Sequence, residues 1–115
     1  MTVPSTAVEI GAAVRAGSVM ATEVVEHFLA AIDAREGELH ACNTVMADEA
    51  RAAAARVDAG EVTGPLAGVP VALKDNMCTR GVPTTCSSRI LEGWKPPYDA
   101  TVITQIGRAS CRERV

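Results

Sequence analysis

The chain has 115 residues, of which 48% are hydrophobic and 22% charged, and its formal net charge is −3 at pH 7. This length suits one ordinary domain, and the weakly acidic balance argues against a nucleic-acid-binding face built from this segment alone. Residues 1–10 lack the basic and apolar regions of a signal peptide, and no apolar run is long enough to span a bilayer, so we expect a cytoplasmic protein with no membrane partner. Because the apolar fraction depends on small Ala and Val side chains, we expect a thin core if this chain folds by itself.

Two helices are predicted in the first third of the chain. Thr6 and Glu9 have the spacing of a capping box, which starts a helix that ends at Gly17. Apolar residues recurring at intervals of three and four predict a second helix from about Ala21 to Arg35. Gly37 is the expected stop of this helix.

The rest of the chain alternates between helix and irregular structure. An alanine-rich third helix is predicted from Ala47 to Ala59. Residues 77–97 are rich in Gly, Pro, Ser and Thr and predict an ordered loop with little regular structure. Asp99 is the expected N-cap of a last helix, which Gly107 interrupts.

Between the third helix and this loop lies the short apolar run Val69–Leu73. It is typical of a strand that is buried on both faces, as in a mostly parallel sheet. Helices followed by such a strand indicate the α/β class, although one strand leaves the topology open.

Lys74 follows this run directly, at the end of the predicted strand where ligand sites collect in open α/β sheets. In apolar surroundings the charged form of a lysine is disfavoured, and a neutral amine can take a proton from a serine hydroxyl and so activate a nucleophile. Lys74 is therefore our candidate catalytic residue. From the residues alone, the alternative is a surface lysine that snorkels from a strand end.

The polar and aromatic residues after Lys74 have simpler interpretations. Asp75 and Asn76 are expected to hold the turn after the strand, with a role in positioning Lys74 as the alternative. Trp94 and Tyr98 are expected to be packing or interface anchors. Four hydroxyl side chains are expected to satisfy local backbone groups, with pocket shaping as the alternative: Thr84, Thr85, Ser87 and Ser88.

The cysteines do not form a recognisable metal or disulfide pattern. They stand at positions 42, 78, 86 and 111, without a CxxC pair and without zinc-site spacing. We interpret them as reduced, structural thiols and predict no metal site.

Residues 64–76 read GPLAGVPVALKDN, which resembles the amidase-signature motif G-P-L-x-G-[IV]-P-[IV]-x-[LIV]-K-D-N. The resemblance implies that Lys74 is the base of a Ser–cis-Ser–Lys triad. It also implies that the N-terminal helices precede the first strand or strands of a mixed, mostly parallel sheet. In the family both serines come from a downstream Gly/Ser-rich loop, and Ser87, Ser88 and Ser110 do not sit in such a context. Lys74 is therefore the one catalytic residue assigned, no substrate-binding residue is assigned, and this chain alone is expected to be inactive.

Residues 78–102, with SRILEGW at 88–94, are similar to the branch of the family that forms the glutaminase subunit of tRNA-dependent amidotransferases. This resemblance implies an enzyme that hydrolyses glutamine and passes ammonia to its partners, the B and C subunits. The holoenzyme then uses ATP and Mg²⁺ to amidate a mischarged Glu-tRNA(Gln) or Asp-tRNA(Asn), and the glutaminase subunit needs no cofactor of its own. Two alternatives stay open: a stand-alone amidase acting on small amides, and a non-catalytic piece that folds only partly or only with a partner.

The resemblance covers residues 1–104, interpreted as the N-terminal part of an amidase-signature domain. Met20 departs from it, since relatives often have a serine there, and the start of the second helix is expected to lack that cap. Residues 105–115 continue no apolar stripe, and codons for Ile106–Val115 can be written to match a common short-read sequencing adapter. We hypothesise that this tail, which includes Cys111, is not native. Resequencing the source DNA is the test.

Overall fold

The structure, a computed structural model, describes residues 2–109. Helices α1 (Ala7–Arg15), α2 (Ala21–Leu39) and α3 (Ala47–Asp58) occupy the first half, and α4 (Thr101–Ala109) ends the described part of the chain. A 3₁₀ turn at Arg89–Leu91 lies in the loop between α3 and α4. None of the helices in this range is long and apolar enough to cross a membrane.

Helix α1 begins as predicted. The Thr6 hydroxyl accepts a hydrogen bond from the Glu9 N–H at 3.3 Å, and the Glu9 carboxylate accepts one from the Thr6 N–H at the same distance. This is the reciprocal pairing of a capping box, and it satisfies backbone donors that a helix leaves open at its start.

Helix α2 is longer than predicted, because it passes through Gly37 and ends at Leu39. The expected stop at Gly37 is wrong. A glycine inside a helix costs only about 1 kcal/mol relative to alanine, which continued backbone hydrogen bonding can offset. The chain turns at His40 instead, whose φ of 49° is left-handed, and the Glu36 carboxylate accepts the N–H of Cys42 at 2.9 Å.

The start of α2 is capped from a distance. Met20 supplies no side-chain cap, as predicted from its departure from the family pattern. The Asp58 carboxylate, at the end of α3, accepts the N–H groups of Ala21 at 2.7 Å and Thr22 at 3.1 Å. Glu23 accepts the N–H of Met20 at 2.9 Å. Helix α2 therefore starts on acceptors from α3 and from its own first turn.

The core consists of two small apolar clusters on either side of α2. In the first cluster α2 packs on α3 and on Ala67, through the buried residues Ala21, Val25, Leu29, Ala50, Ala54 and Val57. In the second cluster Val24 of α2 contacts Ile10 of α1, together with Val19 and Val69. Most of these side chains are Ala or Val, so the buried area per residue is small, as composition predicts.

Helix α1 also packs closely on the segment that leads to Lys74. Gly11 is buried, and a Cβ at this position would lie 2.4 Å from the carbonyl oxygen of Pro65. The same carbonyl accepts a hydrogen bond from the Arg15 guanidinium. Residues 64–69 are thus fixed against the helices before the chain reaches the candidate catalytic lysine.

Residues 69–73 do not form the predicted strand. Within residues 2–109, Val71 is a lone bridge position, Val71 and Leu73 are half-buried, and Ala72 is exposed. A strand buried on both faces needs neighbouring strands and a layer on each side. No second strand occurs among the described residues, so this segment is extended without a sheet, and the mostly parallel sheet stays a prediction for the full-length protein.

The loop of residues 77–100 is ordered by its own backbone, as predicted. Its two arms run antiparallel: the Ala100 N–H donates to the Cys78 carbonyl at 2.7 Å, and the Thr84 N–H donates to the Trp94 carbonyl at 3.1 Å. The Asp99 carboxylate, the expected cap of α4, accepts the N–H of Arg80 at 2.8 Å. Apart from the 3₁₀ turn, this loop contains no helix or strand.

Helix α4 begins at Thr101 and continues through Gly107 to Ala109. The expected interruption at Gly107 is therefore wrong, for the same reason as at Gly37. Ile103 is 2% exposed and anchors this helix. Ser110, Cys111 and the rest of the hypothesised non-native tail beyond Ala109 lie outside the described residues.

Candidate active site around Lys74

An open groove of about 590 Å³ surrounds the end of the 64–76 segment. Three stretches of chain contribute most of its lining: residues 41–44 and 46 after α2, residues 72–77 around Lys74, and residues 82–84, 86 and 87 of the long loop. This volume lies within the range of about 300 to 1,000 Å³ that small-molecule sites occupy. The groove is therefore the candidate binding site for a small substrate.

Lys74 lies on this groove with its side chain exposed. Its carbonyl accepts the N–H of Met77 at 3.0 Å, which closes the turn after the 69–74 segment. Among the described residues, no ion pair joins the Lys74 amine to a carboxylate. Within residues 2–109 Lys74 is exposed, so the apolar surroundings predicted for its amine are not found in this range.

Asp75 holds the long loop against the backbone next to Lys74. One carboxylate oxygen accepts the N–H of Thr85 at 2.8 Å, and the other accepts the Thr85 hydroxyl and the Asn43 side-chain amide at 3.2 Å. The Asp75 carbonyl also accepts the N–H of Cys86 at 3.0 Å. The Thr85 hydroxyl, then the Thr85 N–H and the Asn43 amide, lower the pKa of this carboxyl, because hydrogen bonds to the ionised form stabilise it.

The predicted loop hydroxyls differ in what they do. Thr84 and Ser88 satisfy nearby backbone groups, since Thr84 donates to the Val82 carbonyl and Ser88 accepts the Ile90 N–H. The Thr85 hydroxyl does both: it accepts the Ser87 N–H at 3.2 Å, as predicted, and it donates to the Asp75 carboxylate ten residues away. Thr84 and Ser87 also line the groove, so the alternative role, shaping the pocket, applies to both residues.

Two cysteines face the same groove, Cys42 and Cys86. Burial, followed by the nearby Glu36 carboxylate, raises the pKa of the Cys42 thiol, so this thiol is a poor nucleophile at neutral pH. Both are free thiols, as is Cys78, whose sulfur lies 3.6 Å from the Tyr98 hydroxyl. Within the described residues, no three metal-ligating side chains cluster.

Trp94 and Tyr98, the expected anchors, are 37% and 51% exposed and do not line the groove. The Trp94 carbonyl accepts the Thr84 N–H, one of the hydrogen bonds that join the two arms of the loop. Both side chains are partly covered and partly exposed, and their role as packing or interface anchors stays a prediction.

Sequence reasoning missed Asn43 and the pairing of Asp75 with Thr85. Asn43 is 32 residues from Asp75 along the chain, and it stands in a segment without helical or strand periodicity. No local pattern reports such a contact, because it depends on how the end of α2 approaches the loop.

The sequence model of the Amidase family matches residues 23–111. The A subunit of glutamyl-tRNA(Gln) amidotransferase from Acidothermus cellulolyticus is 55% identical over 105 residues, which cover 88% of this chain and 21% of the relative. The protein of the same name from Anaeromyxobacter dehalogenans is 53% identical with the same coverage, and that from a Synechococcus species is 48% identical over 99 residues, 83% of this chain and 20% of the relative. The chain therefore spans about a fifth of the length of these curated relatives.

A solved structure of a vestigial protein complex, which reveals the evolutionary origins of an s-triazine catabolic enzyme, superposes with a TM-score of 0.81. The two sequences are 32% identical, and the superposition covers 96% of this chain and 25% of the other. An inhibitor-bound form of that complex gives the same values. The helices, the extended segment of residues 69–73 and the loop of residues 77–100 thus have an arrangement that is known from a solved structure.

Proposed function

Because the chain belongs to the Amidase family, as the motif at residues 64–76 predicted, we propose that it is the N-terminal part of the glutaminase subunit of a tRNA-dependent amidotransferase. The observation that supports this most strongly is the placement of Lys74, the motif lysine, on an open groove of substrate size. Relatives that carry the name of this amidotransferase are 55% and 48% identical in sequence to the chain, which supports this branch of the family.

In the proposed reaction Lys74 is the base. Its neutral amine takes the proton of a nucleophilic serine by way of a cis-serine, and the serine oxygen attacks the amide carbon of glutamine. Ammonia leaves with a returned proton, and water then releases glutamate from the acyl-enzyme. The serines, the oxyanion donors and the apolar cover of Lys74 are supplied by the remainder of the full-length protein.

We propose that the ammonia passes to the B and C subunits of the complex, which use ATP and Mg²⁺ to amidate Glu-tRNA(Gln) or Asp-tRNA(Asn). This segment has a net charge of −3, which suits a role in glutamine hydrolysis rather than in direct tRNA contact. We propose that the glutaminase subunit itself uses no cofactor and works in the cytoplasm.

The test is replacement of Lys74 in the full-length protein, with glutamate release from glutamine as the readout. We expect K74A to lower kcat by about 10² to 10⁴-fold, the range for loss of a general base. K74R should be equally impaired, because a guanidinium keeps its proton at any working pH. The matched control is K95A, at the chain's other lysine, which is exposed in the long loop outside the groove. Wild-type glutaminase activity in K74A would contradict the proposal.

A second candidate is a stand-alone amidase acting on small amides. It is supported by the match to the model of the Amidase family, whose description names no particular amide substrate and no partner subunit. Purification of the tagged full-length protein from its own cells separates the two: stoichiometric recovery of two further subunits supports the amidotransferase. A single active chain that prefers small amides over glutamine supports the stand-alone enzyme.

A further inference from the structure

The carboxylate of Asp75 joins three stretches of chain that line the groove. It accepts two hydrogen bonds from Thr85 in the long loop and one from Asn43 after α2, while its own backbone follows Lys74 directly. These donors are all uncharged, so the carboxylate is used for tethering rather than for an ion pair with the neighbouring lysine.

The backbone around Lys74 is held on both sides of this tether. The Lys74 carbonyl accepts the Met77 N–H at 3.0 Å, and the Asp75 carbonyl accepts the Cys86 N–H at 3.0 Å. These bonds fix the peptide from which the Lys74 side chain extends. They leave the amine itself without an ion pair among the described residues, so that it can meet a group supplied from elsewhere.

The opposite wall of the groove is in a conformation that requires support. Cys86 and Ser87 have φ values of 50° and 58°, which L-residues disfavour. Such backbone persists where surrounding contacts over-determine it. Here the contacts are the Asp75 carbonyl on the Cys86 N–H and the Thr85 hydroxyl on the Ser87 N–H at 3.2 Å. The Thr85 hydroxyl is also the group that donates to the Asp75 carboxylate.

We propose that Asp75 is a positioning residue, which fixes Lys74 and the Thr85–Ser87 wall relative to each other so that the amine is aligned for proton transfer. This inference rests on the proposed function of Lys74. A displacement of about 1 Å in an active site can lower the rate about 10²-fold. Loss of the hydrogen bonds of Asp75 should therefore lower turnover even though Lys74 itself is unchanged.

Two substitutions test the tether in the full-length protein. D75N keeps one acceptor for the Thr85 N–H but loses the acceptor for the Thr85 hydroxyl, and T85V removes that hydroxyl with little change of shape. We expect both to lower kcat for glutamine by about 10 to 100-fold with a smaller change in KM. T85S keeps the hydroxyl and should restore kcat to near the wild-type value. D48N, at an exposed carboxylate of α3 outside the groove, is the matched control and should leave kcat unchanged.

The combined variant D75N/T85V separates positioning from general destabilisation. If the two side chains act through one hydrogen bond, the double substitution lowers kcat no more than the worse single one. Hydrogen exchange of residues 84–88 should accelerate in D75N and T85V and stay at the wild-type rate in T85S. Full kcat per folded molecule in D75N and T85V would overturn the proposal, and so would unchanged exchange of residues 84–88.

The outcomes also distinguish this inference from the proposed function. If K74A abolishes glutamine turnover while D75N and T85V retain it, Asp75 has no positioning role and the function of Lys74 stands. If K74A retains turnover, the proposed function fails, and the positioning role that rests on it fails too.

Discussion

The carboxylate of Asp58, at the end of α3, accepts both the backbone N–H and the hydroxyl of Thr22, at the start of α2. The Asp58 side chain therefore serves as the N-cap of a helix that begins 37 residues earlier in the chain. We expect D58A to lower the free energy of opening at the start of α2 by about 1 to 2 kcal/mol, as loss of a cap does. The measurement is hydrogen exchange of residues 21–28 in the full-length protein.

D58N is the matched variant for this cap. Its amide oxygen still accepts one N–H, so we expect a smaller loss than in D58A. The end of α3 should not weaken in either variant, since removal of a negative charge from a helix C-terminus is favourable. Uniform acceleration of exchange in both helices would show that Asp58 supports the packing and not the cap.

Two helical glycines should respond to alanine in opposite directions. At Gly11 a Cβ would meet the Pro65 carbonyl oxygen at 2.4 Å, so G11A should destabilise the protein by about 1 to 3 kcal/mol. At Gly37 a Cβ would meet nothing within 4 Å among the described residues, so G37A should stabilise α2 by about 0.5 to 1 kcal/mol. Chemical denaturation of the two full-length variants checks the signs, and equal effects would contradict the close packing of α1 on residue 65.

His40 ends α2 with a φ of 49°, a conformation that glycine adopts without the strain of a side chain. We expect H40G to raise the stability of the last turn of α2 by a few tenths to about 1 kcal/mol. Slower hydrogen exchange at residues 36–40 would confirm this. Faster exchange there would show that the imidazole makes a stabilising contact that outweighs the strain.

The pKa of Asp75 is lowered from its usual 3.8, chiefly by the hydrogen bonds from Thr85. A lowered pKa in the folded state adds stability that is fully present above the usual value and is lost as pH falls through the folded-state pKa. The stability difference between wild type and D75N should therefore be constant at neutral pH and shrink below about pH 4. Denaturation of both proteins at several pH values measures this, and a difference independent of pH would contradict the ionised tether.

The isolated 115-residue chain should unfold without a sharp transition. Its core clusters consist largely of Ala and Val, and among residues 2–109 the segment 69–73 has none of the neighbouring strands that a buried strand requires. Thermal unfolding followed by circular dichroism should show a broad, weakly sloping loss of helix. A single steep transition would show that the two clusters suffice for cooperative folding.

Features that depend on neighbours along the chain could be predicted from the amino-acid order. The capping box of Thr6 and Glu9, the apolar periodicity of α2, the alanine-rich sequence of α3 and the irregular loop after residue 77 are of this kind. The motif at 64–76 identified the family and singled out Lys74. The end of α2 was misjudged because the preference of Gly37 for a helix end is weaker than continued backbone hydrogen bonding.

Contacts between distant groups could be read only from the folded chain. The Asp58 side chain accepts hydrogen bonds from α2, and the Asp75 side chain accepts them from Thr85 and Asn43. These residues are far apart in the sequence, and no periodic pattern predicts such contacts. The fold also places Lys74 exposed on a groove, because burial of a strand end is a property of the sheet around it and not of the apolar run that precedes it. Local preferences act through a few residues, whereas caps, tethers and burial depend on the packing of whole elements.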